Sequence, residues 1–309
     1  MYRTSQFAAT LLIAAISGGC SIKRVAVNKL GDALASGGST YESDDDPDLV
    51  AEALPFGLKL IESLLAQSPK HKGLLLAAAS GFTEYGYAFV DTRADEAMGD
   101  SLDRGKYLRY RARRLCMRAH GYGLRGLEAA YPGISAGLDS APETAAARVR
   151  KADIGLLYWT AASLGLAISS SKGDPEMLAQ VPAVDAMLQR ARQLDEGFGA
   201  GAIWEALLSL ESARAGVKPE VQQERMRRFF DKALSLSKGE HASTFVSYAE
   251  NASVPAQDRA RFQQLLGKAL AIDADRKPEN RLANLISQRR ARWLLARTDE
   301  LFLEPAPTN

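Results

Sequence analysis

Three stretches decide the fold: "LQRARQLDEGFGAGAIWEALLSL" (Leu188–Leu210), "FDKALSLSKGEHASTFVSYAEN" (Phe230–Asn251) and "LGKALAIDADRKPENRLANLIS" (Leu266–Ser287). Each follows one plan. A helical run ends on a leucine, a polar Ser or Asp turn follows, and a second helical run opens. An earlier stretch, "IESLLAQSPKHKGLLLAAASGF" (Ile61–Phe82), repeats the plan. The step from Ala191 to Ala233 is 42 residues and from Ala233 to Ala269 it is 36. The tetratricopeptide period is about 34, so these are degenerate helical hairpins with irregular loops. A lone hairpin cannot bury its apolar face. Neighbours must stack, and stacking builds a curved array with a concave surface.

The periodicity elsewhere agrees. Leu58, Ile61, Leu64 and Leu65 lie on one face of a 3.6-residue period, and Leu74–Ala79, Leu156–Ile168 and Ile203–Leu210 begin further helical segments. Alternating strand formers are absent from the sequence. Asp46 before Pro47 reads as N-cap and first turn of a helix. A calcium loop over Asp44–Asp48 lacks the glycine and the distal glutamate that such a loop needs. The expected fold is all-α, an array of stacked antiparallel helical hairpins resembling tetratricopeptide repeats. It fills one domain over residues 44–303, with a tail over 304–309.

The N-terminus sets the compartment. Arg3 precedes a greasy run from Phe7 to Ile16, which is too short to span a bilayer, and Ser17-Gly18-Gly19-Cys20 follow. A positive end, a short apolar run and small residues form a secretory signal. The segment resembles a bacterial lipoprotein signal over residues 1–19, in which Cys20 becomes the lipidated N-terminus, although Ser17 stands where a leucine is usual. Residues 20–43 then serve as a tether. Ser21 after the cysteine favours the outer membrane, which places the chain on the periplasmic face of a bacterial membrane. With Cys20 acylated, Cys116 has no partner for a disulfide, so packing must hold the fold. The formal charge of +2 on 309 residues gives no field to attract nucleic acid.

Short motifs add no chemistry. "GYGLRG" (Gly121–Gly126) matches a dinucleotide fingerprint but follows an arginine-rich helix where a strand is required, so a helix break is expected there. "GISAG" (Gly133–Gly137) places Ser135 in a nucleophile-elbow pattern without the strand–turn–helix setting. The basic run Lys106–Arg118 reads as the solvated face of a helix. His71, His120 and His241 are scattered, and no metal set follows. The chain is expected to be neither an enzyme nor a cofactor or metal carrier.

Several segments together resemble one family: "LPFGLKLIESLLAQSP", "RARRLCMRAHGYGLRGLE", "ADIGLLYWTAASLG", "VPAQDRARFQQLLGKAL" and "RLANLISQRRARWLLARTDELF". In this order they are similar to the T-component proteins of tripartite ATP-independent periplasmic (TRAP) transporters, from about Asp46 to Phe302. The resemblance implies a lipid-anchored, periplasmic, all-helical accessory protein with cryptic tetratricopeptide repeats. It implies binding to the transporter's substrate-binding protein and to a small ligand, and it transfers no catalytic residue. A lipoprotein scaffold for another envelope assembly is the alternative, and a homo-oligomer stays open. In a concave array, Tyr85 (with Tyr87 and Phe89 beside it), Tyr158, Trp159 and Trp204 are the side chains expected to line a ligand cleft.

The Cys20 reading is testable. Acylation is what makes membrane residence stable, so Cys20→Ala should move the protein from the membrane fraction to the soluble periplasm. A variant that stays in the membrane with unchanged mass overturns the lipoprotein assignment.

Overall fold

The computed structural model describes residues 39–303, apart from Lys172 and Ala215, together with Lys29. Cys20 and the stretches expected to be the signal, most of the tether and the tail lie outside the described residues. Among the described residues the chain is helical throughout, with no strand. The main helices are α1 (Pro47–Gln67), α2 (Lys72–Tyr85), α3 (Thr92–Asp100), α4 (Leu102–Ala130), α5 (Ile154–Ser169), α6 (Val181–Leu194), α7 (Ala202–Ser212), α8 (Pro219–Leu236), α9 (Ala242–Tyr248), α10 (Arg259–Leu270) and α11 (Arg281–Ala296). Two π-helical segments, π1 (Gly86–Asp91) and π2 (Ala249–Ser253), extend α2 and α9.

Local rules place the helix ends. Asp46 caps α1, its Oδ1 accepting from the backbone N–H of Asp48 and Leu49 at 3.0 Å each, with Pro47 next in line. Each quoted stretch is the junction of a hairpin: α1/α2, α6/α7, α8/α9 and α10/α11. A fifth hairpin, α4/α5, has its connection filled by short helices at Ile134–Ser140 and Pro142–Ala147. The repeated alanines Ala191, Ala233 and Ala269 are fully buried, where a small residue lets neighbouring helices approach. At the α6/α7 junction Gly201 has φ +110°, and a Cβ on it would lie 2.9 Å from the Ala233 carbonyl oxygen. Only glycine permits both that backbone conformation and that approach.

The helices form two layers. α2, α5, α7, α9 and α11 touch in succession, and α1, α4, α6, α8 and α10 pack outside them. The last inner helix returns to the first hairpin. Leu282 and Ile286 of α11 join the core of α1 and α2, around Leu58, Leu74 and Phe82. Arg281 Nη1 donates to the Ser43 carbonyl at 2.9 Å, and Arg289 pairs with Asp48 at 3.0 Å. The array is therefore a closed ring.

"GYGLRG" does not break a helix. α4 runs unbroken through Gly121–Gly126, and the glycines serve its crossing with α5 instead. A Cβ on Gly123 would overlap Thr160. Ser135 is held by the Glu128 carboxylate, to which its hydroxyl donates at 3.0 Å. Among the described residues one helical stretch, Lys151–Ser169, is long and apolar enough by length and composition to cross a membrane. Here it is a wall helix, with Leu156, Leu157, Leu164 and Ala167 in the core.

Gly201→Ala tests the hairpin geometry. Strain at positive φ and a clash with backbone should together destabilise the protein by about 1–3 kcal/mol or more. Urea unfolding reads this directly, and an unchanged midpoint would mean that the α7–α8 approach is not constrained there.

Candidate functional site

The inner helices and their π extensions carry a set of polar side chains that act on one another: Glu84 at the end of α2, Tyr87 in π1, Tyr158 in α5, Glu205 in α7, Glu250 in π2 and Arg290 in α11. Tyr87 decides how they are arranged. It is 44% exposed, yet its phenol is acted on by Glu250, Arg290, Asp91 and Glu205. A side chain acted on from three other parts of the ring, π2, α11 and α7, and still wet faces an internal lumen. Burial raises the Tyr87 pKa, and Glu250 adds to the shift.

Both π segments meet at this place. π-Helical turns occupy well under 1% of residues in globular proteins and recur at functional sites. π1 supplies Tyr87 and π2 supplies Glu250. The guanidinium of Arg290 sits between Glu250 at 2.6 Å and Asp95 at 2.7 Å, 4.3 Å above the ring of Trp293. Arg109 pairs with Asp91 at 3.1 Å and with Asp95. Burial pushes the Asp95 carboxyl up, but Arg290 and Arg109 outweigh it and hold the pKa below the usual carboxylate value.

Glu84 and Glu205 differ from these. Neither forms an ion pair among the described residues. Glu205 accepts hydrogen bonds from the Ser243 and Thr244 hydroxyls, both on Oε1, and burial still raises its pKa. Glu84 is an exposed side chain crowded by its neighbours, and partial desolvation, with Glu42 adding to it, pushes its carboxyl up to about 7.

The four aromatic positions expected to line a cleft do not form one cluster. Tyr158 is 9% exposed, with its ring against Trp159 (5.1 Å between centroids) and Phe198 (5.4 Å). Its hydroxyl has no hydrogen-bond partner among the described residues, and the Glu205 and Glu84 carboxylates act on it. Trp159 is half-buried and packs on the wall. Tyr85 is buried beside Phe89, with the Arg111 guanidinium over its ring. Trp204 donates from Nε1 to the Glu196 carbonyl at 3.0 Å, and Arg192 and Lys232 lie over its indole. Glu84, Glu205, Glu250 and Arg290 were not singled out from sequence. For Glu84 and Glu205 a signal existed: each is a lone charge in an apolar helical run, "AAASGFTEYGYAFV" and "AIWEALLSL".

A second cavity, of about 270 Å³, opens between α6, α7 and α8. Its charges satisfy one another, Arg214 bridging Asp185 and Glu211 at 2.9 and 3.0 Å, and Arg225 reaching Glu211 at 3.2 Å.

The family model for the TRAP transporter T-component, TAtT, matches residues 43–302, the whole ring. The chain belongs to this family. It is an accessory component of a TRAP transport system, and so of the bacterial envelope. It is also similar to an uncharacterized protein of Treponema pallidum (strain Nichols), 32% identical over 319 residues and covering 96% of each chain.

The raised Glu84 pKa has a definite sign. Between its usual value of 4.5 and about 7 the folded T-component holds a proton that the unfolded chain releases. This group's contribution to stability is therefore fully present below pH 4.5 and is lost as the pH rises through about 7. Glu84→Gln should flatten that slope in urea midpoints measured from pH 5 to pH 8. An identical slope in the variant would remove Glu84 from the lumen's charge balance.

Proposed function

We propose that this T-component is a non-enzymatic adaptor that binds the substrate-binding protein of its TRAP system and receives or passes a small solute in the ring lumen. The observation that carries this reading is Tyr87, half-exposed inside a closed ring of helices. An internal, wet, aromatic and polar space suits a small molecule better than a scaffold role. We place the adaptor on the periplasmic face of the outer membrane, anchored through Cys20, with 20–43 as tether and 44–303 as one domain. Its hairpins are read as degenerate tetratricopeptide units.

A docking face for the protein partner is supported by the outside of α4. Tyr107 (64% exposed), Tyr110 (57%), Arg114 and Met117 recur at steps of three and four and so share one stripe. The Arg114 guanidinium lies over the Tyr110 ring. Tyr, Arg and Met are the side chains enriched at protein interfaces.

Titration of the mature chain with the substrate-binding protein encoded beside a TRAP permease should give a complex. The double variant Tyr107→Ala, Tyr110→Ala should weaken it by about tenfold or more, since interface aromatics are frequent hot spots. Absence of a complex at micromolar concentrations, with and without solute, would overturn the adaptor reading. A complex that ignores the double variant would move the docking face elsewhere on the ring.

A further inference from the structure

The lumen carries an uneven set of charges. Asp91, Asp95 and Glu250 each have a guanidinium, from Arg109 or Arg290. Glu84 and Glu205 have none among the described residues. A partly desolvated carboxylate without a counter-ion is unfavourable, and an incoming cation relieves it. Glu205 turns only Oε1 to its hydroxyl partners, which leaves Oε2 for a ligand.

Tyr158 is an independent observation at the same place. The residue is 9% exposed, its hydroxyl makes no hydrogen bond among the described residues, and the Glu205 and Glu84 carboxylates both act on it. A phenol oxygen accepts a hydrogen bond from an ammonium, while its own proton can go to a carboxylate. Tyr158, Trp159 and Phe198 form an aromatic cluster beside that point. Aromatic faces attract cations and also cover apolar groups.

We propose that the lumen holds a subsite for a small solute with a cationic head, a primary amine or guanidinium, received by Glu205 and Glu84 with Tyr158 as the orienting hydroxyl. The assignment deepens the proposed role in solute handling and rests on it.

Three probes of one shape separate the outcomes: phenethylamine, 2-phenylethanol and phenylacetate, each titrated into the full chain by calorimetry or by shifts in its NMR spectrum. The amine is expected to bind at least tenfold more tightly than the other two. Glu205→Gln should abolish most of that preference and Tyr158→Phe should reduce it several-fold, both with unchanged circular dichroism. Glu205→Gln keeps the acceptor for Thr244, so the variant should fold. Equal binding of all three probes, or a preference for phenylacetate, would overturn the cation subsite while leaving the lumen as a solute site. No binding by any of them overturns the subsite, whereas the adaptor reading stands or falls separately, on the complex with the substrate-binding protein. Amine binding that is indifferent to Glu205→Gln would place the amine elsewhere and also overturn the assignment.

Discussion

The ring depends on Arg290. Its guanidinium joins Asp95, 195 residues earlier in the chain, to Glu250, 40 residues earlier, while its flat face lies on Trp293. Desolvated ions gain little net stability over a well-packed apolar contact, but removing one partner strands the others. Loss of Arg290 would leave the half-buried Glu250 without a counter-ion, while Asp95 would keep Arg109. The energy of closure comes from Leu282 and Ile286 against the first hairpin, and the ion pairs set the register in which that contact is made.

Two neighbouring tyrosines at the junction of α2 and π1 behave differently. Tyr85 ends α2 and stays packed in the wall, whereas Tyr87 begins the wider turn and faces the lumen. In an unbroken α-helix two residues two apart already diverge by about 200°. The wider turn also carries the chain on to Asp91, which meets Arg109 and the Ser170 hydroxyl. Within π2 the same device presents Glu250 to Arg290.

The hairpins were legible because their cause is local. Ala191, Ala233 and Ala269 mark the crossing of an outer with an inner helix, and the polar turns after them mark the reversal. The α4/α5 pair was hidden because short helices fill its connection, and no spaced alanine announces it. Closure was not legible, since nothing near Arg290 in sequence points to Asp95. The site suffered from the same gap. Aromatic content drew attention to Trp204, whose indole is taken up by Glu196, Arg192 and Lys232, while Glu205 beside it faces the lumen. In this wall the apolar side chains hold the helices together, and the isolated acids mark the inside.

An open stack of repeats can grow from any point and needs polar units at its two ends. A closed one has no ends, and it also has no place to finish early. Arg289 meets Asp48 at a sequence separation of 241, so the first hairpin lacks its final neighbour until α11 exists. Contacts between such distant parts are slow to form, because loop entropy must be overcome before they stabilise anything. For a polypeptide delivered N-terminus first, whether from a ribosome or through a membrane channel, completion waits for the last helix. The seam thus acts as a clock, keeping the chain unlocked until almost all of it has arrived.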